Sequence, residues 1–275
     1  MLRNLLITTV TIFAAAMLYL FWPKAPVQAD YTQMQDITLI AHAGGGLPQG
    51  TYSNAREAFD LSAANGFSLI EADFNWTRDG QLVLMHDWQT EHIDWFSPVQ
   101  RVPKFLKISR FTQAKSANAF TSRKMRGGLT AMALDDLLQW MRDHPDVQIV
   151  TDIKGNNIEG LKQIATKAPE MRGQFIAQIY SPEDYGPAYD LGFSKIIFTA
   201  YRSPLNDKQL ASFAASHTLY ALTVPAGRVS QELTDALRAS STPVFAHTIN
   251  TPQDAQLLLD KGVKGIYTDY IIPAA

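Results

Sequence analysis

The chain has 275 residues, of which 46% are hydrophobic and 18% are charged, and its formal net charge is −2. This is ordinary globular composition, with enough residues for one large domain. Neither a basic tail nor a motif of the known nucleic-acid readers occurs, so we set nucleic-acid binding aside. The absence of cysteine excludes disulfides, thiolate metal ligands and a lipid-modified cysteine anchor.

The N-terminal segment is apolar. Residues 5 to 22 contain no charged side chain and follow Arg3, and a helix of that length rises about 27 Å, close to the ~30 Å hydrocarbon core of a bilayer. We therefore predict a transmembrane anchor over residues 1–24 and a linker over 25–36. A signal peptide cleaved after Ala29 is the alternative, although the apolar run exceeds the usual length of a signal sequence.

The charge of Arg3 orients this segment. Positive residues favour the cytoplasmic side, so the N-terminus is expected there and the rest of the chain on the extracytoplasmic, periplasmic side. If the segment is cleaved, the protein is secreted or periplasmic. If it is retained, the anchor is the contact with the membrane.

Short β-like runs alternate with helical patterns over residues 37–275. One predicted helix places Leu134, Leu137, Leu138 and Met141 on a single face. Eight β-α units of this size predict an α/β protein with a closed (β/α)8 TIM barrel, and an open doubly wound sheet is the alternative. The predicted strands are 37–42, 68–73, 148–154, 175–180, 195–201, 219–224, 243–248 and 265–269.

The stretch EADFNWTRDGQLVLMHD, residues 71–87, predicts a β-hairpin. Asp79-Gly80 is typical of a two-residue turn, which adds an extra strand over Leu82 to His86. That turn would pair Asp73 with His86, and Glu71 would share their face. A three-residue turn would shift the register by one and send His86 to the other face.

Residues 90–128 form a basic and aromatic insertion, with eight lysines or arginines and two acidic residues. Because the insertion directly follows the strand that carries His86, we predict a lid over the barrel mouth. Its charge would attract an anionic or membrane-embedded substrate. The alternative is a scaffold whose aromatic side chains pack onto neighbouring helices.

Carboxylates lie near the carboxyl ends of two of the predicted strands. The site of a TIM barrel lies at the carboxyl ends of its strands, where this chain places Glu71, Asp73 and Asp152. Three oxygen ligands suit a hard divalent cation, Mg²⁺ or Ca²⁺, rather than zinc. Lys154, two residues after Asp152, suits a phosphate oxygen beside the cation. Taken singly, each acidic residue is also explained as a salt-bridge partner.

Two histidines accompany these acids. His42 ends the first strand before a run of three glycines, and His86 ends the hairpin. Either one alone is explained as a core histidine, but a pair that flanks a phosphoryl group would supply a base and an acid. Later strand ends add Tyr180, Arg202 and His247 as candidate substrate contacts.

The ordered motifs resemble the glycerophosphodiester phosphodiesterase family. That family shows His-Arg-Gly, Pro-Glu-Asn-Thr, Glu-x-Asp, Thr-x-Asp-Gly, His-Asp, Glu-x-Lys, Trp-Thr-x-Asn and a Gly-Val-x-Gly-Ile-x-Thr-Asp ending. The corresponding stretches here are HAGG (42–45), YSNA (52–55), EAD (71–73), TRDG (77–80), HD (86–87), DIK (152–154), HTIN (247–250) and GVKGIYTD (262–269). They span residues 37 to 270, and the specificity lies in their ordered combination.

This resemblance implies a TIM barrel and a metal-dependent phosphodiester hydrolase that acts on glycerophosphodiester-like substrates. The divalent cation would be held by Glu71, Asp73 and Asp152, with His42 and His86 as the acid-base pair. The resemblance also implies two steps, in which a neighbouring substrate hydroxyl attacks phosphorus and water then opens the cyclic phosphate.

The departures from the family pattern concern mainly the substrate. Ala43 replaces the arginine that contacts phosphate, so neutralisation falls to Lys154, the cation or Arg202. Asp152 replaces a glutamate, as in the similar sphingomyelinase D-like enzymes, and His247 replaces a tryptophan of the substrate wall. A glycerophosphodiester, a lipid head group and a phosphate-linked glycan all remain open as partners. Two other functions also remain open, a phospholipase D-like lipid phosphodiesterase and a catalytically silent barrel that binds phospho-glycan or lipid.

Overall fold

The computed structural model describes residues 32–96, 114–201 and 203–274. Its strands, in chain order, are β1 (Thr32–Met34), β2 (Thr38–Ala41), β3 (Leu69–Trp76), β4 (Leu82–Leu84), β5 (Gln148–Ile153), β6 (Phe175–Ile179), β7 (Ile196–Thr199), β8 (Ala221–Pro225), β9 (Val244–His247), β10 (Gly265–Thr268) and β11 (Ile271–Pro273). Its α-helices are α1 (Arg56–Ala64), α2 (Glu91–Phe96), α3 (Ala117–Thr121), α4 (Leu134–Asp143), α5 (Asn157–Lys167), α6 (Tyr185–Asp190), α7 (Asp207–Ser216), α8 (Gln231–Arg238) and α9 (Pro252–Asp260).

The parallel strands close into the predicted TIM barrel. Their order is β2-β10-β9-β8-β7-β6-β5-β3, and pairing of Ala41 with Ile70 joins β2 to β3 and closes the ring. Each of the eight predicted runs overlaps one of these strands, although β3 and β8 extend past the predicted ends. Helices pack outside the ring over a continuous apolar layer, in which the α4 residues Leu134, Leu137 and Met141 are buried.

The interior of the barrel has an apolar layer below a polar one. The apolar layer consists of Ile40, Leu69, Val150, Ile176, Ile197, Ala221, Phe245 and Tyr267. Because side chains alternate along a strand, the residue two positions later on the same strand also points inward. Those later residues are His42, Glu71, Asp152, Gln178, Thr199, Thr223, His247 and Asp269. Strand periodicity therefore delivers the polar groups to one mouth.

The hairpin register differs from the prediction. Trp76 pairs with Leu82 and Phe74 with Leu84, one residue away from the expected pairs. Thr77 N donates to Gln81 O at 2.9 Å, which leaves a three-residue loop. Gly80, with φ +71°, completes it. A three-residue loop that ends in a left-handed glycine carries a bulge and shifts the pairing by one, so the predicted two-residue turn is wrong.

His86 nevertheless reaches the mouth. β4 ends at Leu84, and the chain bends at His86 instead of continuing the strand. Asn75 Nδ2 donates to the carbonyl of His86 at 3.1 Å, and the imidazole meets the Tyr52 ring edge-on at 5.4 Å. The bend, rather than the strand register, decides where this side chain lies.

Part of the predicted linker is a strand. Thr32 pairs with Ile271 and Met34 with Pro273, so β1 and β11 form a parallel two-stranded sheet. The linker prediction is wrong at these residues because the backbone there is hydrogen-bonded to the end of the chain. The predicted anchor at residues 1–24 lies outside the described residues and stays a prediction, as does the periplasmic location. No helix among the described residues is long and apolar enough to cross a membrane.

The described parts of the insertion are packed. Its residues Trp95, Phe96, Phe120 and Met125 are buried with the preceding Trp88 in one apolar cluster against β4, α1 and the loop between β2 and α1. Aromatic packing of this kind is what the scaffold alternative expects. Four basic residues of the insertion lie outside the described residues, so the lid stays a prediction; they are Arg101, Lys104, Lys107 and Arg110.

Two arginines of the insertion hold the end of α2. Arg123 donates to the carbonyl of Phe96 at 2.9 Å. Arg126 donates to the carbonyl of Asp94 at 3.0 Å and lies 4.6 Å from the centroid of the Trp95 ring. These bonds satisfy carbonyl groups that have no partner at a helix C-terminus. The guanidinium groups of both arginines therefore stabilise the packing of the insertion.

We expect Arg126→Met to lower the free energy of unfolding by about 1–3 kcal/mol, because it removes charge-assisted hydrogen bonds and a cation–π contact. Urea unfolding measures the change. Lys162→Met is the matched control, because Lys162 has an exposed side chain on α5. Equal, small changes in the two variants would contradict this role for Arg126.

Candidate active site

The three predicted carboxylates converge at the mouth. Oxygen atoms of Glu71, Asp73 and Asp152 lie within 4.8 Å of one another. Glu71 and Asp73 are 2% and 1% exposed. β3 delivers the first two and β5 the third, and Asp73 pairs directly with Asp152 across these strands. Parallel register therefore brings together residues that are far apart in sequence.

The Lys154 ammonium lies between two of these acids. Its Nζ is 2.8 Å from Asp73 and 2.7 Å from Asp152. Burial works against the charge of Lys154, but the carboxylates outweigh it and raise its pKa. For Asp73, the ammonium likewise outweighs burial and lowers the pKa. The ion pairs keep both groups charged at neutral pH.

Glu71 has a different environment. Burial and then repulsion from Asp73 raise its pKa well above the ordinary value. Its Oε2 accepts the backbone N–H of Ala43 at 2.6 Å. Ala43 has φ +51°, a left-handed conformation that directs this amide at the carboxylate. Ala43, which stands where the family has an arginine, thus holds Glu71 through its backbone N–H.

Asn54 orients Asp73, a role that the sequence reasoning missed. Asn54 precedes Ala55, the N-cap residue of α1, and its side chain does not cap the helix. Instead, Asn54 Nδ2 donates to Asp73 Oδ2 and Asn54 Oδ1 accepts from Asp73 N, both at 2.9 Å. The match of this asparagine to the family's Pro-Glu-Asn-Thr motif was the available signal.

His42 is held by an acidic residue from the last barrel strand. Its Nδ1 lies 3.0 Å from Asp269 Oδ1, and Asn250 Nδ2 donates to Asp269 Oδ2 at 2.7 Å. Burial alone would lower the pKa of His42, but the Asp269 bond and the nearby carboxylates raise it to about 9. Because Nδ1 bonds Asp269, any proton that this imidazole exchanges with a substrate would pass through Nε2. Asn250 and Asp269 are the last residues of the motifs HTIN and GVKGIYTD, and the sequence reasoning assigned neither a separate role.

His86 has a matching arrangement. Its Nδ1 lies 3.0 Å from Asp87 Oδ2, and this bond outweighs burial to raise its pKa. The Tyr52 ring lies between the two histidines, edge-on to both, with a centroid distance of 4.5 Å to His42 and 5.4 Å to His86. The sequence reasoning gave Tyr52 no role, because a loop tyrosine carries no local signal.

Asp87 links this site to α2. Its carboxylate accepts the backbone N–H groups of Gln89 and Thr90 as well as bonding His86. Burial would raise the pKa of Asp87, but these bonds outweigh it and lower the pKa from 3.8 to about 2. A carboxylate with a depressed pKa stabilises the fold above its unfolded pKa, and the contribution is lost as pH falls through the folded pKa.

We therefore expect the stability advantage of the wild type over Asp87→Asn to shrink by about 2 kcal/mol between about pH 5 and pH 2. Urea unfolding across this range measures it, with the exposed Asp143→Asn as the control. A constant difference between wild type and Asp87→Asn would show that the carboxylate charge does not stabilise the fold.

The structure describes two of the three later strand-end residues that were predicted to contact the substrate. Tyr180 lies beside the acids, and its hydroxyl donates to Asp152. His247 lies at the mouth with its ring centroid 5.8 Å from that of Tyr201. Burial, and then the charge of His42, lower the pKa of His247 to about 4, so its imidazole is neutral at neutral pH. Arg202 lies outside the described residues.

An open cleft of about 640 Å³ adjoins the carboxylates. Asp152, Lys154, Tyr180 and Tyr201 contribute to its wall, and its far side is formed by the start of α5 and by Asp184. This volume is typical of a small-molecule site. A substrate bound there would contact the acid-lysine cluster.

The glycine run after His42 serves protein packing. Gly44 has φ +86°, and a Cβ there would lie 2.8 Å from the Phe59 ring. A Cβ at Gly46 would lie 2.6 Å from the carbonyl oxygen of Asp269. The glycines let this loop sit between α1 and the β10 end.

The donor set fits a divalent cation. Three carboxylates within 4.8 Å of one another provide hard oxygen ligands. Burial and then repulsion from Asp73 raise the pKa of Glu71, even with the Lys154 ammonium nearby. A cation held by Glu71, Asp73 and Asp152 would stabilise the charged form of Glu71.

Polar groups gathered at the carboxyl ends of eight parallel strands are the arrangement of TIM-barrel enzymes. A sequence model described as the glycerophosphoryl diester phosphodiesterase family matches residues 43–167, the stretch from the loop after β2 to the end of α5. The resemblance to this family that the motifs predict is thereby confirmed.

Individual proteins similar to this chain carry related names. A glycerophosphodiester phosphodiesterase of Bacillus subtilis is 26% identical over 256 residues, covering 85% of this chain and 84% of its own. A putative glycerophosphodiester phosphodiesterase from Galdieria sulphuraria superposes with a TM-score of 0.69 at 16% identity, over 86% of this chain and 96% of its own. A phosphodiesterase from Oleispira antarctica, solved with the product sn-glycerol-3-phosphate, gives 0.59 at 15% identity, over 87% and 94%. The two structures establish the shared fold.

Proposed function

We propose that this protein is a metal-dependent phosphoric diester hydrolase that acts on glycerophosphodiester-like substrates. The observation that carries the proposal is the buried cluster of Glu71, Asp73 and Asp152 with Lys154 between two of its members. The similarity to the family and the glycerol phosphate bound by the Oleispira antarctica relative support this substrate class.

The charged groups would bind the phosphate. Mg²⁺ or Ca²⁺ held by the three acids would supply Lewis-acid polarisation of a phosphoryl oxygen. Lys154, whose ammonium stays protonated, would contact a second oxygen. It would thereby take the place of the arginine that Ala43 replaces.

The two histidines would move protons. Asp269 holds His42 and Asp87 holds His86 through Nδ1, so each imidazole presents Nε2. In the first step, one Nε2 accepts the proton of the substrate hydroxyl next to the phosphoester, whose oxygen bonds to phosphorus. The other Nε2 donates a proton to the alcohol that leaves. In the second step the roles reverse, and water opens the cyclic phosphate.

The direct test uses sn-glycero-3-phosphocholine with Mg²⁺ or Ca²⁺, before and after chelation. We expect choline and sn-glycerol-3-phosphate as products, and loss of turnover with EDTA. Lysophospholipids and phosphate-linked glycans tested alongside would reveal a different alcohol or a lipid phosphodiesterase. Binding without turnover of any of them would instead favour the silent barrel.

A further inference from the structure

A small cavity lies on the barrel axis beside the carboxylates, and we call it the axial cavity. Its volume is about 50 Å³, and its wall includes Thr199, Thr223 and His247. Thr199 Oγ1, Thr223 Oγ1 and His247 Nε2 are buried atoms without a hydrogen-bond partner among the described residues. Three polar atoms that lack a partner thus border one space.

These atoms come from three consecutive strands. Thr199 ends β7 and pairs with Thr223 of β8, and His247 ends β9. The two threonines are 3% and 1% exposed. They lie directly above the apolar layer that contains Ile197 and Ala221. The polar wall therefore covers one side of the barrel interior.

Other polar groups of the wall already have partners. Gln178 accepts from the Tyr267 hydroxyl at 3.3 Å and donates to the Tyr180 hydroxyl at 3.2 Å. His42 bonds Asp269, and Asp152 bonds Lys154. The unused hydrogen-bonding capacity is concentrated on the β7–β9 side.

An unpaired buried polar atom is costly, so such atoms in native structures are generally satisfied by water or a ligand. Threonine hydroxyls donate and accept, and a neutral imidazole Nε2 does one or the other. A hydroxyl group matches this set because it also donates and accepts. About 50 Å³ admits a group larger than one water, such as a hydroxymethyl group, since a water needs about 10–15 Å³.

The axial cavity adjoins the cleft where the phosphate would bind. Asp152 and Tyr201 line both spaces. We propose that the axial cavity is a subsite for the terminal hydroxymethyl group of a glycerol moiety, recognised by Thr199, Thr223 and His247. This inference rests on the proposed function. It makes His247, which stands where the family has a tryptophan, a specificity-determining residue.

The test compares sn-glycero-3-phosphocholine with its 1-deoxy analogue, 2-hydroxypropyl phosphocholine. The analogue keeps the hydroxyl beside the phosphoester and lacks only the terminal one. We expect the wild type to favour the glycerol substrate by about 10- to 100-fold in kcat/KM, the effect of leaving buried polar groups unpaired. Thr199→Val and His247→Phe should lower kcat/KM for the glycerol substrate far more than for the analogue, so the preference collapses.

Thr166→Val is the control, because Thr166 bonds within α5 away from the barrel interior. Equal losses on both substrates would overturn the subsite, as would a wild-type preference near one. Calorimetric titration with sn-glycerol-3-phosphate and 2-hydroxypropyl phosphate separates this result from failure of the proposed function. If sn-glycerol-3-phosphate binds more tightly than 2-hydroxypropyl phosphate but the diester is not turned over, the subsite is supported and the hydrolase proposal is rejected. Equal binding of the two compounds without turnover would reject both proposals.

Discussion

Asp152→Asn is expected to lower the affinity for a divalent cation and kcat together, each by at least about 100-fold. Loss of a residue that only orients a ligand costs about 10–100-fold in metal affinity, and loss of the ligand itself costs at least as much. The substitution removes one of three negative charges but keeps the shape of the side chain. Its amide oxygen can still accept from Lys154, and its amide nitrogen can donate to the Tyr180 hydroxyl, at the two positions where the carboxylate oxygens accept from these groups, so the fold should persist.

Titration calorimetry with Mg²⁺ and Ca²⁺, with kcat measured on sn-glycero-3-phosphocholine, tests this prediction. Glu170→Gln is the matched control, because its carboxylate is 62% exposed on the outer surface. Wild-type cation affinity in Asp152→Asn would remove this residue from the ligand set. Full activity of the wild type in EDTA would remove the cation from the reaction.

Alanine at His42 or at His86 is expected to lower kcat by about 10²- to 10⁴-fold, the usual contribution of one general acid or base. The reason is positional, since Asp269 and Asp87 fix Nδ1 of each ring and leave Nε2 as the atom that exchanges a proton. Either variant should retain cation binding, because neither imidazole belongs to the carboxylate cluster.

The measurement is kcat on a diester with a poor leaving group, for which protonation of the leaving oxygen matters most. His217→Ala is the control, because His217 packs against Phe213 of α7, outside the barrel. A near wild-type rate would show that the histidine concerned is structural. Loss of cation binding together with activity would mean that the variant acts through the acids instead.

The departure at Ala43 affects less of the site than its motif suggests. The backbone N–H at this position holds Glu71, and any residue that adopts the same conformation can provide it. The substitution removes the guanidinium that the family's arginine provides at this position. Lys154 contacts two of the three acids, so this lysine can take over part of the neutralisation.

Much of this architecture is determined by the sequence alone. Successive side chains of a strand point to opposite faces of the sheet, and this local two-residue period fixes which side chains of each predicted strand face the barrel interior. Leu69 and Glu71, or Val150 and Asp152, already specify an apolar layer with a polar layer above it. Eight such strands close into a barrel, and the acids then converge, because parallel strands end at one mouth.

The tertiary structure decided the features that depend on loop conformation or on distant partners. A three-residue loop set the hairpin register, and a bend after β4, which no periodicity encodes, brought His86 to the mouth. Asn54 bonds Asp73, and Arg126 of the basic insertion holds the end of α2. The axial cavity exists only because side chains from strands around the whole ring meet on the barrel axis. Composition and spacing reveal which groups are present, but hydrogen-bond partners follow from packing in three dimensions.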